Sequence, residues 1–167
     1  MKGESVEGTF QCPPVSAPVI DLNLPAYYET GDETASRIDT KAFIEHQRIR
    51  QPLRDYETSL LKITNAYAAS NPANEDMAIC AINMLKTWAG QGALLGEMSY
   101  AGRHVRKWSL GTLASAYLQV KDSPSLKPQS AESIKDWLKK LAHALIKEQE
   151  NIVNTNSGQN NHLYWKA

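Results

Sequence analysis

Two short stretches of this chain place polar side chains where chemistry is possible. The first, Arg103-His104-Val105-Arg106-Lys107-Trp108, sets four basic or potentially basic residues around an aromatic on one expected helix. Cations there could hold carboxylates. Arginine suits the task because its planar fork grips a carboxylate through two hydrogen bonds. The tryptophan could stack on a sugar ring. The plainer reading puts Trp108 in the core and the charges on a solvated helix face, and on the block alone that reading is preferred. The second stretch, Asn160-Asn161-His162, falls at a loop-to-helix junction. Backbone N–H groups lack helical partners at such junctions, and catalytic side chains commonly gather there. Its plain reading is an Asn cap followed by an ordinary histidine.

Other chemistry-bearing residues read as structural or open. Trp88, Trp137 and the tyrosines fall on apolar stripes and read as core. His143 lies one position off its helix's inner stripe, and His46 fits either role. The chain has no Gly-rich phosphate loop, GxSxG, HExxH or Ser/His/Asp set. Cys12 and Cys80 belong to no CxxC pair or metal-ligand cluster, so no zinc or other metal is expected. A bridge between them would tie the N-terminal segment to a helix and imply an oxidising compartment. The alternative is two separate thiols.

The elements that must carry these residues are helical. Lys41 opens a pattern through Phe43, Ile44, His46 and Ile49, which Pro52 is expected to break or kink. Leu53, Tyr56, Leu60, Ile63 and Tyr67 continue at three- and four-residue steps. Asn74 caps a second helix whose inner stripe holds Met77, Cys80, Ala81, Met84, Leu85 and Trp88. A third is expected from about Gly102 to Lys121, with Val105, Trp108, Leu113, Ala116 and Val120 inward. A fourth starts at Ser130 and buries Ile134, Trp137, Leu138, Leu141 and Leu145. Asn151 to Asn161 reads as a loop, and Leu163-Tyr164-Trp165 as the opening turn of a fifth helix. Residues 1–40 are irregular: Pro13, Pro14, Pro18 and Pro25 forbid a continuous helix. Val19, Ile20, Leu22 and Leu24 could lie in a groove on the body, and Glu29 to Thr34 is a polar turn and a candidate mobile loop. The class is all-α, built from antiparallel helix pairs.

Composition narrows the function classes. The 167 residues suffice for one domain with a real core. Lys plus Arg and Asp plus Glu both total 18, so there is no basic excess of the kind a general nucleic-acid binder carries. A local basic groove for an acidic polymer remains compatible with zero net charge. No apolar run is long enough for a transmembrane helix. The first residues lack the apolar core of a signal peptide.

Taken in order, four segments resemble the alginate (polymannuronate) lyase family. They are Cys12-Pro13; Cys80-Ala81-Ile82-Asn83 with Trp88 and Gly92-Ala93-Leu94; Arg106-Lys107-Trp108-Ser109-Leu110-Gly111 with Ala116-Tyr117; and Asn160-Asn161-His162-Leu163-Tyr164-Trp165. The resemblance implies an incomplete α/α toroid with a deep cleft, of which this chain matches the N-terminal half. Residues 1–40 would be an irregular segment with a lid loop, and residues 41–167 the toroid domain. It implies catalytic roles for Asn161 and His162, and substrate contacts from Lys41, Arg106 and Trp108. It also implies a Cys12–Cys80 disulfide, no cofactor, and export to the periplasm or beyond, with the leader trimmed away. The family's remaining catalytic Tyr and Arg lie downstream of the segment matched by Asn160 to Trp165, and Tyr164 does not replace that Tyr.

The implied reaction is β-elimination on alginate, a polyanion of uronic acids. It needs the C5 carboxylate neutralised, the C5 proton removed and the O4 leaving group protonated. Asn161 can donate to the carboxylate, and His162, an imidazole, can serve either as general base or as a donor to the carboxylate. The chain alone is expected to turn over little or nothing. The rival readings are a non-catalytic domain that binds anionic polysaccharide and a structural helical domain without a ligand. A glycoside hydrolase is disfavoured because no carboxylate pair accompanies the basic block.

Overall fold

The computed structural model describes residues 10–31, 36–71 and 73–154. Four helices form the regular structure of these residues: α1 Thr40–Ala69, α2 Glu75–Gly90, α3 Tyr100–Val120 and α4 Pro128–Asn154. None of them is long and apolar enough to cross a membrane.

Local chemistry sets most of the boundaries. The Asp39 carboxylate caps α1 by accepting from the Ala42 amide, the Asn74 side chain caps α2 at Asp76, and the Ser99 hydroxyl caps α3 at Gly102. Gly102 is demanded by a close approach, because a Cβ there would overlap the Leu22 carbonyl oxygen. Two expectations are corrected and one is narrowed. Of the break or kink expected at Pro52, the break does not occur, and α1 runs through it. Pro52 is exposed, so the Arg48 carbonyl it leaves without a helical donor lies on the face open to water. α4 opens at Pro128, two residues before the expected start at Ser130, and in the first turn the missing N–H of proline costs nothing. The helix also runs on to Asn154, into the stretch expected to be a loop.

The packing order is that of an α/α toroid. α1 packs on α2 and α3, α4 packs on α2 and α3, and α1 and α4 do not meet. Gln119 of α3 donates to Asn65 of α1 at 2.9 Å, and Ser109 lies beside Glu57, so later residues of one helix meet later residues of the other. α1 and α3 therefore run parallel in one layer. Glu75 at the start of α2 accepts from Ser123 and Ser125 just before α4, and Trp137 within α4 donates to the Ala93 carbonyl just beyond α2. α2 and α4 likewise run parallel in a second layer. Short links reverse direction between the layers. Among the described residues the fold is all-α, and its two antiparallel helix pairs are consistent with part of an α/α toroid.

The N-terminal segment lies along this body. Leu22 and Leu24 are buried, and Leu22 forms a parallel bridge with Met98. The Val19 carbonyl accepts from the Leu94 amide at 2.8 Å, and the Ser16 carbonyl accepts from the Trp88 indole at 3.1 Å. Ile20 stays partly exposed. Cys12 and Cys80 form a disulfide with Cα atoms 5.6 Å apart, which fastens the segment to α2. The core beneath it holds Leu53, Tyr56, Leu60, Leu85, Trp88, Leu113, Ile134 and Leu141.

Candidate functional site

The helix directions gather the interesting residues at one end of the array. The N-termini of α1 and α3 and the C-termini of α2 and α4 lie at that end, beside the N-terminal segment. Lys41 is exposed in the first turn of α1. Just before it, two arms of chain converge: Tyr28 bridges Ile38, and the Asp39 amide donates to the Tyr27 carbonyl at 2.9 Å. Tyr27 packs edge-on against Phe43 and His46. His46 is buried, and its Nδ1 lies 2.9 Å from the Pro25 carbonyl oxygen. A carbonyl can only accept, so Nδ1 carries the proton and His46 serves as a structural strut.

The basic block on α3 divides between two faces. Trp108 was expected inward but is 53% exposed, because at 100° per residue it sits well away from the stripe Val105, Ser109, Leu113 and Ala116. Arg106, expected to meet substrate, is 4% exposed. It donates through Nη1 to the Leu94 carbonyl at 3.2 Å and through Nη2 to the Glu148 carboxylate. Its Nε has no acceptor among the described residues. Both terminal nitrogens are thus engaged by groups of the protein itself.

That outer face carries a pattern the spacing did not reveal. Tyr100 is 66% exposed, its ring edge packs on His104 at 4.7 Å, and Trp108 follows four residues on. The Tyr100 and Trp108 positions are separated by about 12 Å along the axis. Tyr100, Arg103, His104 and Lys107 line a depression of about 60 Å³ with Leu145, Glu148 and Gln149 of α4. Tyr100 could have been found by stepping back one turn from His104. Glu148 carried no signal, since its partner Arg106 lies 42 positions away. His143 is exposed on α4.

Between α1 and α3 the Glu57 carboxyl is held above the ordinary carboxylate range because burial strips its water. The neighbouring Ser109 hydroxyl and the Arg50 charge pull it back only in part. Asn161 and His162 lie outside the described residues, as does Asn160.

The profile of the alginate lyase family matches residues 23–167. The chain is 30% identical over 172 aligned positions to an alginate lyase of Pseudomonas paraeruginosa, covering 99% of this chain and 46% of that protein. It is 31% identical to one of Azotobacter vinelandii, over 93% of the chain and 42% of the relative. It is 28% identical to one of Pseudomonas syringae pv. syringae, over 99% and 44%. The chain spans less than half the length of these relatives. With the profile matching most of its residues, the chain belongs to the alginate lyase family.

Proposed function

We propose that the protein carrying this chain cleaves the 1,4-linkages of polymannuronate by β-elimination, leaving an unsaturated 4-deoxy sugar at each new end. Family membership carries this reading. The face of exposed Tyr100 and Trp108 with half-buried His104 between them, flanked by Arg103 and Lys107, fits a polymer with apolar ring faces and a carboxylate on every unit. Trp108 stacks on a sugar ring, and Lys41 holds a substrate carboxylate from the start of α1. Arg106, placed behind this face, acts on substrate through its neighbours.

In the elimination, the C5–H electron pair becomes the C4=C5 double bond and the C4–O4 bond breaks. The Asn161 amide donates to the C5 carboxylate as charge develops there, which is where a preorganised donor lowers the barrier. His162 removes the C5 proton. The resemblance assigns the acid at O4 to a tyrosine in the part of the relatives that this chain does not span. Seven residues lie between Asn154 and His162, so over eight steps of chain the end of α4 can lie no more than about 29 Å from that histidine. The Cys12–Cys80 disulfide supports export to an oxidising compartment such as the periplasm.

Mass spectrometry of polymannuronate digested by the complete gene product tests this reading. Oligomers one water lighter than the hydrolytic product support it, and hydrated reducing ends alone would refute it. For the 167-residue chain by itself, we expect alginate binding without turnover.

A further inference from the structure

The apolar attachment of α4 stops short of its C-terminal turns. Ile134, Trp137 and Leu141 are buried, whereas none of residues 142–150 is. Over those turns half-buried Leu145, Glu148 and Gln149 line one depression with Tyr100, Arg103, His104 and Lys107 of α3. The Glu148 carboxylate meets buried Arg106 and lies 3.5 Å from the Nε of half-exposed Arg103. Arg106 in turn holds the carbonyl of Leu94, a fully buried residue with φ 61°. One guanidinium thus joins the α2–α3 loop, α3 and the end of α4.

We infer that Arg106 is a positioning residue, which by clasping Glu148 fixes the last turns of α4 and so the point from which the chain continues to Asn161 and His162. A buried cation needs a partner, because desolvation without one is costly. The cost of parting the pair therefore holds α4 in one place. The clasp itself stands on the geometry, and its catalytic consequence rests on the lyase reading. Lysine cannot reproduce it, since a single ammonium lacks the fork that reaches both the Leu94 carbonyl and Glu148.

The test uses the complete gene product with Glu148→Ala and Glu148→Asp. Amide hydrogen exchange is followed in residues 142–154 and in α1, with kcat and KM on polymannuronate measured alongside. Loss of a charge-assisted hydrogen bond should speed exchange in 142–154 at least about tenfold in Glu148→Ala. Exchange in α1 should stay within about twofold, and Glu148→Asp should restore part of the protection. kcat should fall by about tenfold or more with KM nearly unchanged, as expected when a reacting group is misplaced. Unchanged exchange in 142–154, or an equal rise in all helices, would overturn the clasp. Faster exchange with unchanged kcat would overturn its link to catalysis. If the wild type forms no unsaturated product, the lyase reading fails, and exchange still decides whether the clasp exists.

Discussion

Tyr56 of α1 and Trp88 of α2 stack with ring centroids 3.5 Å apart and planes 9° from parallel. Both are fully buried, and the Trp88 indole N–H reaches the Ser16 carbonyl. One contact therefore joins two helices and the N-terminal segment. Trp88→Ala should cost about 3–5 kcal/mol in urea unfolding, as truncation of a packed aromatic does. The Tyr56 hydroxyl is buried without a hydrogen-bond partner among the described residues. Tyr56→Phe should accordingly leave stability unchanged or raise it by up to about 1 kcal/mol, and a clear loss would reveal a partner for that hydroxyl.

The Cys12–Cys80 disulfide closes a loop of 68 residues. Restricting that loop in the unfolded chain stabilises the fold by about 4 kcal/mol on the chain-entropy account. The Cys12→Ser/Cys80→Ser double variant should lose about 2–4 kcal/mol, read from denaturant midpoints. Proteolysis should then begin within residues 10–24, which the bridge secures.

Glu57 and Glu75 should give opposite pH signatures. Burial raises Glu57, so the native state binds its proton more tightly than the unfolded chain does. Glu57 costs nothing where both states are protonated, and it costs more as pH rises from the ordinary glutamate range through its folded value. Glu57→Gln should gain Tm over wild type at neutral pH and lose that gain in acid. Hydrogen bonds from Ser123 and then Ser125 lower Glu75. Its contribution is present above the unfolded value and disappears as pH falls through the lower folded value. Glu75→Gln should be less stable than wild type at neutral pH and equal to it in acid. Tm differences that do not vary with pH would contradict both assignments.

Trp108 and Arg106 are two residues apart and should fail differently. Trp108 is exposed, so Trp108→Ala should change stability by no more than about 0.5 kcal/mol. Its alginate affinity should drop by about tenfold, or 1.4 kcal/mol. Arg106→Ala removes the bonds to the Leu94 carbonyl and to Glu148, which keeps Arg103 beside it, and should cost about 2 kcal/mol of stability. Calorimetry of unfolding beside alginate affinity electrophoresis separates the two.

Helix periodicity and capping chemistry made most of this fold legible. The Asn74 cap, the Trp88 stripe and the Ile134–Trp137–Leu141 stripe follow from residue type and spacing. Pro52 left a break or a kink open, because its effect depends on whether the freed carbonyl faces water, which the local sequence does not state. Trp108 and Arg106 misled together: the apolar residue lies outward and the charged one inward. Type alone suggests the reverse. Burial of Arg106 depends on Glu148, 42 positions away, and on a carbonyl presented by the α2–α3 loop. Such long-range pairing leaves no local mark. The family resemblance, by contrast, could be read from the order of four short segments, since no single one of them is specific.

The most direct test of the lyase reading is the ultraviolet absorbance of unsaturated ends during polymannuronate digestion. It should be run with the complete gene product and with its His162→Ala variant. Steady growth of absorbance in the wild type, and its loss in His162→Ala with alginate binding retained, is the result expected here. No absorbance from a folded, alginate-binding wild type, or equal rates in the two proteins, would contradict it.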